Sequence, residues 1–316
     1  MKRCRLENTP DHKPCLIAIL GPTGVGKTEM ALKLARECNG EIISADSMQV
    51  YRMMDIGTAK PSPEERSMVR HHLIDVVNPD ESFDAAMFVS MAGKIITELQ
   101  REGKNVFVVG GTGLYIKALL GGLFDGPGAD KRIRESYRQE LKCYGKAHLY
   151  NKLKDRDEQA AVKIDANDTV RIIRALEVLE LSGESIVKKQ MMHGFSDTRY
   201  ECLKIGLTMD RDHLYDRIDQ RTDKMIREGL VEEVQGLLDR GYHEKLKPMQ
   251  SLGYRHIVNY LKRSSLLEEA IKMMKRDTRH YAKRQITWFR ADNEIRWISH
   301  LDMDSVRRQI ESFLSY

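Results

Sequence analysis

The feature that most restricts the fold of this chain is an apolar segment that ends in a glycine-rich turn. Residues Cys15–Leu20 read CLIAIL, and the next eight residues, 21–28, read GPTGVGKT. These eight match the pattern GxxxxGK[ST], and apolar residues follow at helical spacing over 28–38. A buried strand, a glycine-rich turn and a helix in this order predict a phosphate-binding loop at the edge of a parallel sheet.

The residue types of this loop suit a polyphosphate ligand. Its glycines let the backbone curl so that N–H groups point at phosphate oxygens, and the following helix N-terminus favours the same anion. Lys27 adds a positive charge, and Thr28 offers a hydroxyl to Mg²⁺. A glycine-rich turn with an incidental lysine is the plain alternative, and the motif does not fix which polyphosphate binds. The expected ligand-binding residues are Gly21, Pro22, Thr23, Gly24, Val25, Gly26, Lys27 and Thr28.

Short apolar segments alternate with helical patterns along much of the chain. A long helix is predicted at 84–101, helices dominate 212–290, and a last short helix follows the final strand. This alternation predicts an α/β fold: a core like that of the P-loop NTPases, with a parallel sheet flanked by helices. Beyond the first strand, the strand candidates are 41–44, 73–77, 105–109, 203–209 and 294–298.

The character of the chain changes after Gly121 and Gly122. Residues 123–128 are rich in glycine and proline and predict a hinge, and 130–194 are highly charged with helical spacing. We therefore predict an all-helical subdomain inserted into the core. The expected division is a loose tail at 1–14, a core at 15–124 and 200–316, and a helical insertion at 125–199.

Composition sets outer limits on the class of protein. The chain has 316 residues, 41% of them hydrophobic and 31% charged, and no segment of eighteen apolar residues that would predict a membrane span. Its five cysteines form no CxxC pair, so we expect free thiols in a reducing cytoplasm and no structural zinc site. The net charge of +5 is compatible with a polyanionic partner but does not establish one.

Three further segments narrow the function. They read DSMQVYRMMDIGTAKP at 46–61, GGTGLY at 110–115 and KRQITWFR at 283–290. Together with 21–28 they closely resemble the bacterial tRNA dimethylallyltransferases, over about 15–300. The resemblance implies transfer of a dimethylallyl group from dimethylallyl diphosphate to N6 of adenine 37, in tRNAs that read codons starting with U. It also implies Mg²⁺ as cofactor, the anticodon stem-loop as partner, no membrane, and a monomer.

The resemblance assigns catalytic roles that agree with the chemistry of the residues. Asp46 follows a strand end, where a carboxylate could orient a weakly nucleophilic amine and accept its proton. Thr112 follows the strand at 105–109 and could hold the diphosphate or the amine. Arg217, with Arg221 second, is expected to stabilise the departing diphosphate. The plain alternatives are a helix cap or a Mg²⁺ ligand for Asp46, an ST-turn for Thr112, and surface ion pairs for the arginines.

Residues expected to contact tRNA come from four segments. Those at 46–49 would line a pocket for a flipped adenine, and the cationic side of a helix at 271–290 would contact phosphates, although a solvated charged face is the plain alternative. A tyrosine and an arginine at 254–255 would stack on unpaired bases. The expected tRNA-binding residues are Asp46, Ser47, Met48, Gln49, Arg171, Arg174, Gln250, Gly253, Tyr254, Arg255, Lys283, Arg284, Gln285, Trp288 and Arg290.

Three other functions share part of this pattern. A small-molecule kinase would share the phosphate loop and the sheet but would not need RNA-facing arginines. An isoprenyl transferase acting on free AMP or ADP would share Asp46 and Thr112, but the charged insertion argues against it. A non-enzymatic RNA-binding protein would not need Lys27, Thr28, Asp46 and Thr112 together.

Overall fold

A computed structural model describes residues 13–124, 126–194 and 197–315, which divide into two compact units. The core unit ends at Leu120 and resumes at Arg199, and the insertion unit spans 121–198. The observed division lies within a few residues of the bounds expected from the hinge sequence. Each unit has a hydrophobic core formed from its own residues.

The core unit contains a six-stranded sheet in which every neighbouring pair is parallel. The strand order is β3-β2-β4-β1-β5-β6, so β1 lies in the interior of the sheet. The α/β class with a parallel sheet is therefore confirmed. The strands are β1 (Cys15–Leu20), β2 (Gly40–Ser44), β3 (His71–His72), β4 (Asn105–Gly110), β5 (Glu201–Thr208) and β6 (Arg296–Ser299).

Helices cover both faces of this sheet, and the regular secondary structure of the insertion unit is helical throughout its described residues. No helix among the described residues is both long enough and apolar enough to cross a membrane. In the core unit they are α1 (Lys27–Glu37), α2 (Pro63–Met68), α3 (Ala85–Arg101), α4 (Gly113–Gly121), α9 (Arg211–Arg227), α10 (Leu230–Asp239), α11 (Tyr254–Leu261), α12 (Leu267–Arg290) and α13 (Met303–Leu314), α4 ending where the insertion unit begins. In the insertion unit they are α5 (Lys131–Arg156), α6 (Glu158–Lys163), α7 (Thr169–Ser182) and α8 (Ile186–His193).

The apolar sequence of β1 explains its central position. Successive side chains of a strand point to opposite faces of the sheet. Leu16, Ala18 and Leu20 accordingly pack into one core, and Ile17 and Ile19 pack into the other. A strand buried on both faces needs an uninterrupted apolar segment, which CLIAIL supplies. The loop at 21–28 therefore follows directly after a strand that is buried on both faces of the sheet.

The predicted strand at 73–77 is wrong. The third strand is the two-residue β3, which pairs with β2, and the chain after it turns sharply. Leu73 has φ 60° and Asp75 has φ 56°, left-handed conformations that a strand does not contain. The turn is held by Asp75, whose carboxylate accepts hydrogen bonds from Lys60 and Arg66. The apolar composition of residues 73–77 does not predict these ion pairs, because their partners lie elsewhere in the sequence.

The insertion unit is organised around a buried carboxylate. Glu177 of α7 is fully buried and accepts hydrogen bonds from Arg134 of α5, from Arg174 and from the backbone N–H of Asp130. Burial opposes ionisation of Glu177, but the two arginines outweigh it and hold its pKa below the usual range. This ion-paired cluster joins α5 to α7.

Candidate active site

The phosphate loop joins β1 to α1, as the sequence predicted, and its backbone is arranged to receive an anion. Gly24 and Gly26 have φ 85° and 100°, which orients successive peptide units differently from those of a helix. Their N–H groups donate to no acceptor among the described residues. The first N–H groups of α1 follow directly, and these have no partner within a helix. The loop can therefore donate several hydrogen bonds to phosphate oxygens.

Lys27 lies inside this loop. Its ammonium group donates to the carbonyl oxygen of Pro22 over 2.7 Å. Burial and the nearby charge of Arg221 lower the pKa of Lys27 to about 7, while the charge of Asp46 acts in the opposite direction. A polyphosphate would favour the charged form of this lysine. The close approach of Lys27 and Arg221 therefore suits the binding of an anion between them.

Two arginines of α9 border the loop, but at different depths. Arg221 is partly buried, and its guanidinium donates to the Thr23 hydroxyl over 3.3 Å. Arg217 is exposed and faces Gly26 at the rim. The sequence placed Arg217 first and Arg221 second, whereas the structure brings Arg221 further into the site. Arg217 and Arg221 both line the cleft that borders the phosphate loop.

Asp46 and Thr112 lie at the ends of neighbouring strands β2 and β4. The Oδ1 atom of Asp46 accepts hydrogen bonds from the N–H groups of Met48 and Gln49, over 2.8 and 3.3 Å. Its Oδ2 atom makes no hydrogen bond within the described ranges. The Thr112 hydroxyl accepts from the Ser47 N–H over 3.1 Å, which ties the two loops together. One carboxylate oxygen is therefore fixed while the other remains available.

A cavity of about 90 Å³ joins these groups. The phosphate loop contributes Lys27 and Thr28, and the end of β2 contributes Asp46. Burial and the charge of Asp46 raise the pKa of Tyr281, on the wall of the cavity, to about 12, so its phenol remains protonated at neutral pH. The remaining lining residues include Thr23, Ser44, Gln49, Thr58, His71, Val109, Gly110, Gly111, Arg221 and Gln285.

A larger cleft of about 1030 Å³ shares Lys27, Thr28 and Arg221 with this cavity and opens to solvent. Its walls carry more cationic than acidic side chains, so an anion approaching the loop would be attracted. Several of the cations are held by acids, as Lys60 is by Asp55 and Asp75. The lining cations are Lys27, Arg52, Lys60, Arg66, Arg217, Arg221 and Lys224.

The segment at 55–61 is held in place by Glu233 of α10, a residue that the sequence did not single out. Its carboxylate accepts from the N–H groups of residues 55–57 over 2.8, 2.8 and 3.1 Å, and from the Tyr254 hydroxyl over 2.6 Å. Tyr254 is fully buried. Its ring has no free face for a base, so the structure gives it a packing role in place of the expected stacking role.

Gln285 is also placed differently from its expected role as a tRNA contact. It is buried, and its amide bridges the phosphate loop and the loop after β4. Other residues of the same helix are accessible: Lys283, Arg284 and Arg290 are exposed, and Trp288 is 43% exposed while lying against Gly113. The exposed side of α12 can therefore contact RNA phosphates, whereas the buried side faces the site.

The remaining expected tRNA contacts are distributed over both units. In the core unit, Gln250 is exposed, Gly253 is buried, and Arg255 is ion-paired with Asp277. In the insertion unit, Arg171 is exposed and pairs with a neighbouring acid. Arg174 instead binds Glu177 and the carbonyl oxygen of Pro127, so its main observed role is structural.

The fold and this site define a class: a P-loop α/β protein that can bind a polyphosphate and presents a carboxylate beside it. Comparison with known proteins narrows the class. A family model described as IPP transferase matches residues 49–292. The chain is 56% identical, over 96% of its length and 97% of the relative, to tRNA dimethylallyltransferase 2 of Syntrophus aciditrophicus. The chain belongs to the IPP transferase family, as its motifs indicated.

Solved structures agree with this assignment. A full-length tRNA isopentenylpyrophosphate transferase from Bacillus halodurans is 42% identical, with a TM-score of 0.72 over 96% of this chain and 97% of that one. A eukaryotic dimethylallyltransferase acting on tRNA is 28% identical, with a TM-score of 0.79 over 94% of this chain and 77% of that one. Curated relatives also include the tRNA dimethylallyltransferase of Geobacter sulfurreducens, which is 48% identical over 95% of this chain and 96% of the relative.

Proposed function

We propose that this chain transfers a dimethylallyl group from dimethylallyl diphosphate to N6 of adenine 37 in tRNA, within the cytoplasm. The relatives named above are called tRNA dimethylallyltransferases, which supports transfer of this group to tRNA. The observation that supports it most directly is the shared cavity, in which Lys27, Thr28 and Arg221 lie together with Asp46. Such a site can hold a leaving diphosphate and a nucleophilic amine side by side. A single chain supplies all of these residues, which is consistent with a monomer.

On the nucleophile side, Asp46 orients the exocyclic amine of adenine. The lone pair of N6 attacks C1 of the dimethylallyl group, a new N–C bond forms, and the C1–O bond to diphosphate breaks. The proton released from N6 passes to Oδ2 of Asp46, since Oδ1 is held by the Met48 and Gln49 N–H groups. Ser47, Met48 and Gln49 would then line the pocket for the flipped base.

On the leaving-group side, the diphosphate departs with the electron pair of the broken bond. Lys27, Arg221 and the free N–H groups of the phosphate loop bind its oxygens and stabilise the added charge. Mg²⁺ bound to the diphosphate would neutralise further charge. The donor set fits this ion, because the Thr28 hydroxyl is a hard oxygen ligand and Mg²⁺ usually takes few protein ligands. Arg217 is placed to bind at the rim.

The tRNA would contact the exposed cations of the core unit and of the insertion unit. Lys283 and Arg290 make no ion pair among the residues the structure describes, whereas Arg276 and Arg279 of the same helix are paired with acids. Unpaired surface cations bind phosphates at the lowest cost, because no existing pair must be broken. The anticodon stem-loop and the choice of tRNAs that read codons starting with U belong to this proposal.

One assay tests the proposed reaction against its rivals. The protein is incubated with radiolabelled dimethylallyl diphosphate and Mg²⁺, together with total tRNA, with AMP or ADP, or without an acceptor. Label in tRNA alone, located at adenine 37 after digestion, is the expected result. Label in AMP or ADP would favour the free-nucleotide transferase, ATP turnover without label transfer would favour a kinase, and tRNA binding without either would favour an RNA-binding protein.

A further inference from the structure

The side-chain amide of Gln285 occupies the junction between two loops of the site. Its Oε1 accepts a hydrogen bond from the Thr23 N–H over 2.8 Å, and its Nε2 donates to the Gly111 carbonyl oxygen over 2.9 Å. The residue is only 7% exposed. One amide therefore satisfies a donor of the phosphate loop and an acceptor of the loop that precedes Thr112.

The loop after β4 is fitted closely around this amide. A Cβ added to Gly111 would lie 2.1 Å from Nε2 of Gln285, so glycine is required by the approach of the side chain. The hydroxyl of Thr23 in turn accepts a hydrogen bond from Arg221. Gln285 thus contacts Thr23, and Thr23 contacts Arg221, a cation proposed to bind the leaving diphosphate. Both ends of this buried amide are engaged with backbone groups of the two loops, which favours a role in holding the loops over a role in reading a base.

We propose that Gln285 is a positioning residue for the diphosphate site and not a tRNA contact. It fixes the start of the phosphate loop relative to the loop that carries Thr112, and through Thr23 it also orients Arg221. The inference rests on the proposed function only in taking diphosphate as the ligand of the phosphate loop. Removal of the amide leaves a partly buried N–H and a buried carbonyl without these partners, and such groups are costly to leave unsatisfied.

Two substitutions test this role in the full chain. Gln285→Leu removes both hydrogen bonds. Gln285→Glu keeps the acceptor for Thr23 but places a second oxygen against the Gly111 carbonyl. We expect the affinity for inorganic pyrophosphate with Mg²⁺, measured by titration calorimetry, to fall about tenfold or more in Gln285→Leu. The KM for dimethylallyl diphosphate should rise in parallel, whereas the Kd for an anticodon stem-loop should stay within about twofold.

Matched substitutions on the same helix separate a local role from a loss of folding. Thr287→Ala alters an exposed residue and should change neither ligand affinity. Lys283→Ala, at an exposed cation, should show the reverse pattern, with weaker stem-loop binding and normal pyrophosphate binding. If Gln285→Leu does not fold, Gln285→Glu decides by the same titrations, with an expected fall in pyrophosphate affinity of about threefold to tenfold.

Weaker stem-loop binding with normal pyrophosphate binding in the Gln285 variants would overturn the inference, as would unchanged affinity for both ligands. Equal loss of both ligands would also overturn it, because a general distortion would then explain the effect. Absence of pyrophosphate binding by the unmodified chain would instead contradict the proposed ligand of the phosphate loop. The two failures are therefore distinguishable.

Discussion

The two oxygens of Asp46 have different environments, and this difference matters for its proposed role. Backbone N–H groups of residues 48 and 49 fix Oδ1, while Oδ2 carries no hydrogen bond in the part of the chain that the structure describes. A carboxylate held in this way needs little further ordering when substrate binds, so its free oxygen is already oriented. The arrangement suits proton acceptance better than the capping role that the sequence also allowed, because a cap alone would not require the shared cavity.

We expect Asp46→Asn to lower kcat by about 10²- to 10⁴-fold, the usual contribution of a general base. The amide keeps an oxygen for the Met48 and Gln49 N–H groups but cannot accept the proton of the amine. Binding of tRNA should change by no more than about twofold. Single-turnover transfer of labelled dimethylallyl and a filter-binding titration would measure both.

Asp80→Asn, at an exposed acid outside the site, serves as the control for the Asp46 variant. Transfer at the normal rate by Asp46→Asn at saturating tRNA would contradict the assignment of the base.

The low pKa of Lys27 predicts proton uptake when a diphosphate binds. At pH 8 most of the free protein has a neutral Lys27, since burial and Arg221 lower its pKa to about 7. A bound diphosphate stabilises the ammonium form and raises the pKa, so binding takes up close to one proton. At pH 6 the lysine is already charged and uptake should be about 0.1 proton.

The measurement is calorimetric titration with pyrophosphate in buffers of different ionisation enthalpy. Lys27→Met reports the protons taken up by the ligand itself, so the difference between the two proteins belongs to the lysine. The lowered pKa of Lys27 also affects stability. Because this pKa is lower in the folded than in the unfolded protein, unfolding takes up a proton between about pH 7 and 10.5. The contribution of Lys27 to the free energy of unfolding therefore rises with pH across that window. Equal uptake by both proteins at pH 8 would show that Lys27 keeps its charge.

Sequence reasoning found the residues of the site that lie in continuous motifs and missed those that depend on distant partners. The phosphate loop is a local pattern whose neighbours along the chain are also its structural context. Gln285 was expected to contact tRNA and Glu233 was not singled out, because each binds backbone groups far away along the chain, 262 and 176 to 178 residues distant. The stacking role expected for Tyr254 rests on the resemblance of its segment and on its residue type, neither of which shows that it is fully buried.

The segment at 55–61 connects α10 with the proposed base pocket. Glu233 binds three consecutive N–H groups at its start, and the carbonyl oxygens of Thr58 and Ala59 further along accept from Gln49. A loop with few regular hydrogen bonds of its own depends on such external contacts for its shape. The position of Gln49 is therefore influenced by an acid on another element.

Glu233→Gln tests this dependence. The substitution removes the negative charge and points an NH₂ group at backbone donors, so we expect a loss of about 2 kcal/mol in the free energy of unfolding. The KM for tRNA should rise, because the pocket around Gln49 is less well held. Denaturant unfolding and steady-state kinetics measure the two effects.

Glu232→Gln, at the exposed neighbouring residue, should leave stability and KM nearly unchanged. If the Glu232 and Glu233 variants behaved alike, the loop would not depend on this carboxylate.

The sequence predicted the strands and helices correctly where apolar periodicity is the main signal. The strands at 15–20, 40–44 and 105–110 and the helices around them have bounds close to those expected. The segment at 73–77 failed because two residues adopt left-handed conformations that ion pairs from Lys60 and Arg66 support. A short apolar segment cannot by itself reveal a turn that distant charges stabilise.

The molecule has two units with separate hydrophobic cores, and the insertion unit depends on a buried ion-paired cluster. We expect Glu177→Gln to cost about 3 kcal/mol or more of the stability of this unit, because two partly buried arginines lose their partner. Glu135→Gln, which breaks a surface pair with Arg138, should cost about 1 kcal/mol or less.

Hydrogen exchange distinguishes a local effect of Glu177→Gln from a global one. Amides of the insertion unit should exchange faster in this variant, while those of β1 should keep their protection, because the cores of the two units share no residues. Faster exchange throughout both units would show that they unfold together.

The strand order also determines the direction of the chemistry. The proposed adenine side of the site follows β2, Thr112 follows β4, and the phosphate loop follows β1, and these three strands are consecutive neighbours. Adjacent strands lie about 4.8 Å apart, so about 10 Å separates the ends of β2 and β1. The new N–C bond and the breaking C–O bond would therefore lie along a line across the sheet. In the proposed reaction C1 of the dimethylallyl group lies above β4, with the adenine amine on the β2 side and the diphosphate on the β1 side.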